Sequence, residues 1–431
     1  MHPLRPLRAG LPLLCALTFL AVPLRAAASE PKLRIIHLDV GQGDGAVILT
    51  PGGQVVMIDD GGAVYPVTPC AKILSQLAAL GVTHVDYHFA SHMHADHIGC
   101  FDSVDKVVHF GQGWDDNGPY VSSAVTRYKN SLGGRRHVIA DSLGTGKGRV
   151  FTLDSTLAHP VTLTVVDYHS HNKSDENLNS VMLRLDYGNF HESFGGDLPA
   201  DGSPDYGYET EYGAEVDTVL VYKVHHHSSA YSSSDAWLNA TAPKAGIISL
   251  GNGNPYYFPT LATMTRLHNH GVKTYWTELG TGVSPVAGQD KVAGGPITIS
   301  APWDGGGKVV ISGGSGASAF SDTFTNPGLP VPVGVDDRAT AARPLRVLRN
   351  PAGGSAAFAV EVVGSPVSDL RIYSVDGRQV RTVFRGVLAQ GEQVLSWDGR
   401  DEGGRRADSG MYFARFLARG RAETVSFVLV R

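Results

Sequence analysis

The chain has 431 residues, 42% of them apolar and 18% charged; it can bury large cores and has too few charges for a disordered polyelectrolyte. Three cysteines exclude a disulfide-rich scaffold, and their spacing excludes a thiolate metal cluster. The formal charge of −5 is uneven: residues 29–342 carry −13, which excludes gripping a polyanion by general electrostatics, because backbone binding needs Lys and Arg to displace counterions.

In chain order, residues 1–28 read as a signal peptide. Arg5 and Arg8 precede an apolar stretch at 11–22 that is too short to span a bilayer, and Ala26-Ala27-Ala28-Ser29 suits signal-peptidase cleavage. No later stretch reaches the roughly 20 apolar residues of a transmembrane helix. The expectation is an exported protein (secreted, periplasmic or at the cell surface) without stable membrane insertion. Cleavage would leave Cys70 and Cys100, which could pair in an oxidising compartment or stand as separate buried thiols.

Beyond the leader, β-rich runs at 33–40, 46–50 and 55–58 are broken by glycine-rich turns. An amphipathic helix is predicted at about 71–80, stopped by Gly81, followed by a strand at 85–90. Further strands read at 161–166, 180–186, 190–194, 219–224 and 246–250, with a helix near 260–270. Interleaved strands and helices predict a layered α/β domain over 29–312. Lysine is absent after Lys308, and 313–342 is rich in Gly, Ser and Pro, predicting a flexible linker. Residues 343–431 carry only strand patterns, separated by turns such as Asp376-Gly377 and Asp398-Gly399, which predicts a small β-sandwich.

The strand at 85–90 runs into Ser91-His92-Met93-His94-Ala95-Asp96-His97. Imidazole and carboxylate are ligands for Zn²⁺ and its first-row neighbours, Mn²⁺ included. His92 and His94, two apart on extended backbone, leave the same face, and Asp96 and His97 then turn toward a second point. This predicts a two-metal hydrolytic centre; the plain alternative is a solvated polar loop. Gly195-Gly196-Asp197 follows a strand and places Asp197 where it could bridge two ions, though a Gly-Gly-Asp turn explains it equally well. His225-His226-His227 ends another apolar strand, where one or two rings can enter a site while the third must point elsewhere. Asp59 could orient a metal-bound His or simply form a turn with the glycines after it. The remaining histidines, among them His37, His88, His191 and His268, read as structural or solvated.

These motifs resemble, in order and spacing, the metallo-β-lactamase superfamily, and within it the hydrolase domain of ComEC-type competence proteins. The resemblance rests on "HLDVGQGDGAVILTPGGQVVMIDDGG" at 37–62, "SHMHADHIG" at 91–99, "NSVMLRLDYGNFHESFGGDL" at 179–198, "VYKVHHHSSAYSSS" at 221–234 and "PKAGIISLG" at 243–251. It implies an αββα sandwich and two divalent ions, with His92 and His94 on one, Asp96, His97 and His227 on the other, and Asp197 bridging. His226 would face the substrate and assist the leaving group, His226 and His227 being interchangeable in these roles at this level. Asp96 or Asp197 would orient an activated water, and Asp59, Asn179 and Ser229 would form the surrounding or substrate-contacting set.

The family's Lys-Val-Pro-His-His-Gly-Ser segment matches Lys223–Ser229, with His225 and Ser228 in place of Pro and Gly. Its Tyr-Gly-His-Pro stretch is replaced by Asn254-Pro255-Tyr256-Tyr257-Phe258-Pro259. The further His ligand of true β-lactamases is not evident. Asn177 or Asn179 occupies its region and His169 and His171 remain candidates, which argues against β-lactam hydrolysis. The implied activity is hydrolysis of a phosphodiester, small-molecule or nucleic-acid. Carboxylic esters, lactones or amides are the alternative at the same centre, and a non-catalytic surface-binding protein is a third reading.

From Leu370 onward the chain resembles the FlgD-type immunoglobulin-like module, through "LRIYSVDGRQVRTVFRG" and "WDGRDEGGRRADSGMYFARF". That resemblance implies a non-catalytic attachment module contacting the cell surface or a secretion system.

Overall fold

Consecutive apolar residues in the first strands serve two different cores, which is why these strands read as continuous hydrophobic runs. In the computed structural model Ile35, Ala46, Ile48, Val56 and Ile58 face one core, while Ile36, Val47 and Met57 face another. The structure describes residues 32–62, 70–139, 147–157, 159–168, 175–200, 208–303, 307–325, 345–348, 352–362, 367–374, 378–389, 391–418 and 421–430. Residues 1–28, His169, His171 and 326–342 lie outside this set.

A nine-stranded sheet runs in the order Phe320–Thr325, Lys308–Gly313, Ile297–Ala301, Leu33–His37, Gly45–Leu49, Val55–Asp60, Val85–Phe89, Phe110–Asp115, Arg136–Val138. An eight-stranded sheet runs Asp290–Val292, Lys273–Trp276, Ala245–Ile248, Val221–Lys223, Phe190–Phe194, Met182–Tyr187, Val161–Asp167, Val150–Leu153. Their facing sides share one core that includes Ile35, Ile48, Leu163, Leu185, Val221 and Ile299. Helices Cys70–Ala79, Phe101–Val108 and Ser123–Leu132 cover the outer face of the first sheet through Ile73, Leu77, Val104, Tyr128 and Leu132. Helices Glu209–Val216, Asp235–Thr241 and Leu261–Asn269 cover the second through Tyr212, Trp237, Met264 and Leu267. The result is a four-layer αββα sandwich.

One boundary moves. Residues 313–325 were expected in the linker, but Phe320–Thr325 pairs antiparallel with Lys308–Gly313 in full register, from Gly313 opposite Phe320 to Lys308 opposite Thr325. Phe320 and Phe324 pack on the shared core, so this strand closes the sheet edge and the α/β unit extends past residue 312. Glycine and serine composition hid it, because the inward phenylalanines are spaced four apart among polar residues.

Cys70 and Cys100 form a disulfide that ties the start of helix Cys70–Ala79 to the residue preceding helix Phe101–Val108. The C-terminal residues form a three-stranded and a five-stranded sheet around Phe358, Leu370, Trp397, Phe416 and Phe427, a small β-sandwich.

Candidate metal centre

Parallel pairing puts successive strand ends at one edge of a sheet. Val55–Asp60, Val85–Phe89 and Phe110–Asp115 are parallel neighbours, so Asp59 and the 91–97 segment emerge side by side. Phe190–Phe194, Val221–Lys223 and Ala245–Ile248 are likewise parallel, bringing Asp197, His225–His227 and Ser249 together. Carboxyl edges of this sort are where α/β sheets hold ligands. The two edges meet closely: a Cβ on Gly196, which has φ +50°, would stand 2.6 Å from Ser91 Oγ and 3.3 Å from His92 Nδ1.

Asp96, His97, Asp197 and His227 each offer a ligand atom, and these atoms lie within 4.8 Å of one another. His97 Nε2 and His227 Nε2 both stand 3.3 Å from Asp197 Oδ1, and Asp96 Oδ2 is 3.6 Å from His227 Nε2 and 4.0 Å from His97 Nε2. Ligands about 2.1 Å from a tetrahedral ion sit roughly 3.4 Å apart, so the spacing fits a divalent cation. His97 Nε2, His227 Nε2 and Asp197 Oδ1 are buried without a hydrogen-bond partner. Three converging orphan atoms would be costly unless a shared partner satisfies them.

The opposite ring nitrogens are held. His97 Nδ1 lies 2.8 Å from Asp59 Oδ2, and His227 Nδ1 lies 2.9 Å from the carbonyl oxygen of Ser249. Both partners only accept, so each ring donates from Nδ1 and directs Nε2 at the centre. Asp59 also accepts from Ser91 N and Ser91 Oγ, each at 2.7 Å, so it is an orienting carboxylate rather than a mere turn residue. Burial opposes charging His97 and His227, yet the carboxylates around them outweigh it and hold both rings well above the ordinary histidine pKa. Burial likewise opposes the Asp197 carboxylate, but His227, His97 and His226 hold it well below the ordinary value. Buried anions thus demand positive charge at this point, as a metal ion supplies.

A second pair of donors lies alongside. His92 Nε2 and His94 Nδ1 converge to 3.0 Å, and burial and the neighbouring rings hold His92 in its neutral, ligating form. Asn179 is fully buried and donates to Glu176 Oε2 at 2.7 Å.

The three consecutive histidines separate into three roles. His225 turns away: its Nδ1 meets Glu209 Oε1 at 2.8 Å and its ring packs on Trp237. His227 faces the donor cluster. His226 sits at the rim, with a quarter of its side chain exposed and Nε2 3.8 Å from Asp197 Oδ2. The segment achieves this by left-handed backbone at His226, His227 and Ser228, with φ of 50°, 51° and 69°. Such residues cost of order 1 kcal/mol or more each. Ser228 thus adopts a conformation that ordinarily suits glycine, pinned where Thr260 N and Oγ1 both donate to its carbonyl. Ser229 serves this turn, its N donating to the His226 carbonyl and its Oγ accepting from Tyr231 N.

Two residues of the centre have no counterpart in the motif reading. Asp44 accepts from Lys223 Nζ at 2.8 Å and places Oδ1 3.4 Å from His227 Nδ1, while its N donates to the Asp96 carbonyl. Glu176 accepts from Met93 N at 2.8 Å, between the first two histidines, and holds Asn179. A charged residue inside the glycine run 41–45 was the available signal for Asp44; Glu176 had none. The other histidines lie elsewhere: His37 on Glu192, His88 on Asp60, His191 on Asp186 and His268 on Asp290.

Residues 347–416 match the FlgD Ig-like domain family. The chain is 29% identical over 255 residues to competence protein ComA of Neisseria gonorrhoeae, covering 59% of this chain and 32% of that one. It is 25% identical over 283 residues to ComE operon protein 3 of Bacillus subtilis, covering 61% and 34%. The chain thus spans about a third of the length of the curated relatives it matches. Among solved structures, it is similar to the metallo-β-lactamase fold protein YhfI of Bacillus subtilis (TM-score 0.38, 10% identity, 58% of this chain, 98% of that one). It is also similar to a diphosphatase of the PhnP family (TM-score 0.34, 11% identity, 60% and 94%).

Proposed function

We propose that the protein is an exported, metal-dependent hydrolase that cleaves phosphodiesters with two divalent ions, Zn²⁺ or Mn²⁺. The observation that carries this is the set of four donors from Asp96, His97, Asp197 and His227, at tetrahedral spacing, with unpartnered atoms facing inward. His92 and His94 would hold the second ion and Asp197 would bridge. Two such ions supply an activated water and a Lewis-acid clamp on a substrate oxygen. Asp96, at the exposed side of the cluster, would orient the attacking water. His226, at the rim and 3.8 Å from Asp197 Oδ2, would take up a proton and pass it to the leaving group. Asn177 or Asn179 would take the region of the further lactamase histidine, His169 and His171 lying outside the described residues, in keeping with a substrate other than a β-lactam. The Cys70–Cys100 disulfide supports an oxidising, extracytoplasmic location. No described helix is long and apolar enough to cross a membrane. The C-terminal module, with 14 Arg and no Lys after Ala342, would serve contact with the cell surface or a secretion system.

The test is metal analysis of the purified chain, coupled to a panel of bis-p-nitrophenyl phosphate, single- and double-stranded DNA, a lactone and a β-lactam. Two bound ions with turnover of the phosphodiesters alone is the expected outcome. Turnover only of the lactone would replace this reading with the ester alternative, and failure to bind metal would leave a binding protein.

A further inference from the structure

Aromatic rings flank the donors on two sides. Tyr120, 37% exposed, stands edge-on against His94 with centroids 5.0 Å apart. Across the centre, Phe258 lies 5.9 Å from His226 and 6.2 Å from His227, and Tyr256 stacks on it at 5.5 Å while remaining 48% exposed. Burial and the carboxylates of Asp96 and Asp197 push the Tyr256 phenol up, which places it within the field of the centre.

The segment bearing Tyr256 and Phe258 is built to hold its shape. The Asn254 side chain donates to the carbonyls of Gly251 and Phe258 and accepts from Phe258 N, all between 2.9 and 3.1 Å. Thr281 N and Gly282 N both donate to the Phe258 carbonyl at 2.9 Å. Tyr257 adopts φ 58°, a left-handed conformation unfavourable for an aromatic residue, and the aromatic pair is presented despite it. Among the described residues, Lys223 beside the centre is buried and committed to Asp44, and residues 29–342 carry −13. A site with exposed rings in an acidic domain recognises a flat π-face better than a phosphate backbone.

On the phosphodiesterase reading, we propose that Tyr120 and the Tyr256–Phe258 pair are specificity-determining walls that take an unstacked aromatic base beside the scissile phosphate. The substrate class is then a nucleoside phosphodiester with unpaired bases.

The experiment uses the metal-loaded full chain and two esters with the same leaving group, thymidine 5′-p-nitrophenyl phosphate and methyl p-nitrophenyl phosphate. The wild type is expected to favour the thymidine ester in kcat/KM by roughly ten-fold or more, the factor that stacking of one base supplies. Tyr256→Ala and Tyr120→Ala should each raise KM for the thymidine ester about ten-fold and bring the preference toward unity. Tyr256→Phe, which keeps the ring, should preserve it. Equal use of both esters by the wild type, or a preference unchanged in both alanine variants, overturns the walls while leaving the phosphodiesterase reading intact. Hydrolysis of neither ester by metal-loaded protein overturns that reading and the walls with it.

Discussion

Replacing Asp59 with asparagine should weaken metal binding without unfolding the chain. The Asp59 carboxylate is 1% exposed and accepts three hydrogen bonds, from His97 Nδ1 at 2.8 Å and from Ser91 N and Oγ at 2.7 Å. The asparagine amide keeps one acceptor oxygen, which can retain Ser91 N. Its NH₂ then meets the His97 Nδ1 proton, donor against donor. The ring escapes the clash by moving its proton to Nε2, which is the atom aimed at Asp197 and Asp96. A ring protonated at Nε2 cannot ligate through it, so each bound ion must reverse the tautomer. Loss of an orienting partner of this kind costs 10- to 100-fold in metal affinity, about 1.4–2.7 kcal/mol. Titration of apo protein with Zn²⁺ or Mn²⁺ against a calibrated chelator measures it directly, with circular dichroism checking that the fold is retained. An Asp59→Asn variant that folds and binds metal with wild-type affinity would refute the orienting role.

His94→Ala and Asp96→Ala should each lower turnover at least about a thousand-fold with far-UV dichroism unchanged, since each removes a donor at the rim of the cores rather than inside them; wild-type rates in both would end the metal-hydrolase reading. Reduction of Cys70–Cys100, or its replacement by serines, should destabilise the α/β unit by about 3–4 kcal/mol, as expected for a closed loop of 30 residues, measured by urea denaturation with and without reductant. Burial lowers His88 to about 4. Its folded value lies below the unfolded value of about 6.5, so its contribution is complete above pH 6.5 and is lost as pH falls through 4, by roughly 3 kcal/mol. Denaturation of metal-free protein at pH 7 and pH 4 should show this loss in the wild type and a smaller one in His88→Leu; identical losses would remove His88 as the cause.

Much of the site was legible because its chemistry is local. His92, His94, Asp96 and His97 sit within six residues, and Asp197 and His227 follow apolar strands that mark them as strand-end residues. Asp59 was legible as an aspartate ending a strand, but not its partner, because the 38-residue step to His97 depends on two strands pairing in parallel. Asp44 and Glu176 were missed for a related reason. Each acts on backbone or rings delivered by distant segments, and alone each looks like an ordinary acidic residue in a turn. The helices Ser123–Leu132 and Asp235–Thr241, unremarked in the sequence, are short and mixed in composition, and packing decides them more than propensity.

The sequence by itself determined the layered α/β class, the all-β character of the last ninety residues, and the donor types of a metal centre, because periodicity and ligand chemistry are written residue by residue. It left open whether Cys70 meets Cys100 and which of His225, His226 and His227 turns inward, and it ended the α/β unit too early, at residue 312. Tertiary structure decided each of these. Pairing of cysteines thirty residues apart, left-handed backbone at three successive positions, and the register of Phe320–Thr325 on Lys308–Gly313 are set by long-range packing. The physical reason is the same throughout: a side chain's type limits what it can bind, but only the convergence of separate strands sets what stands 3 Å from it.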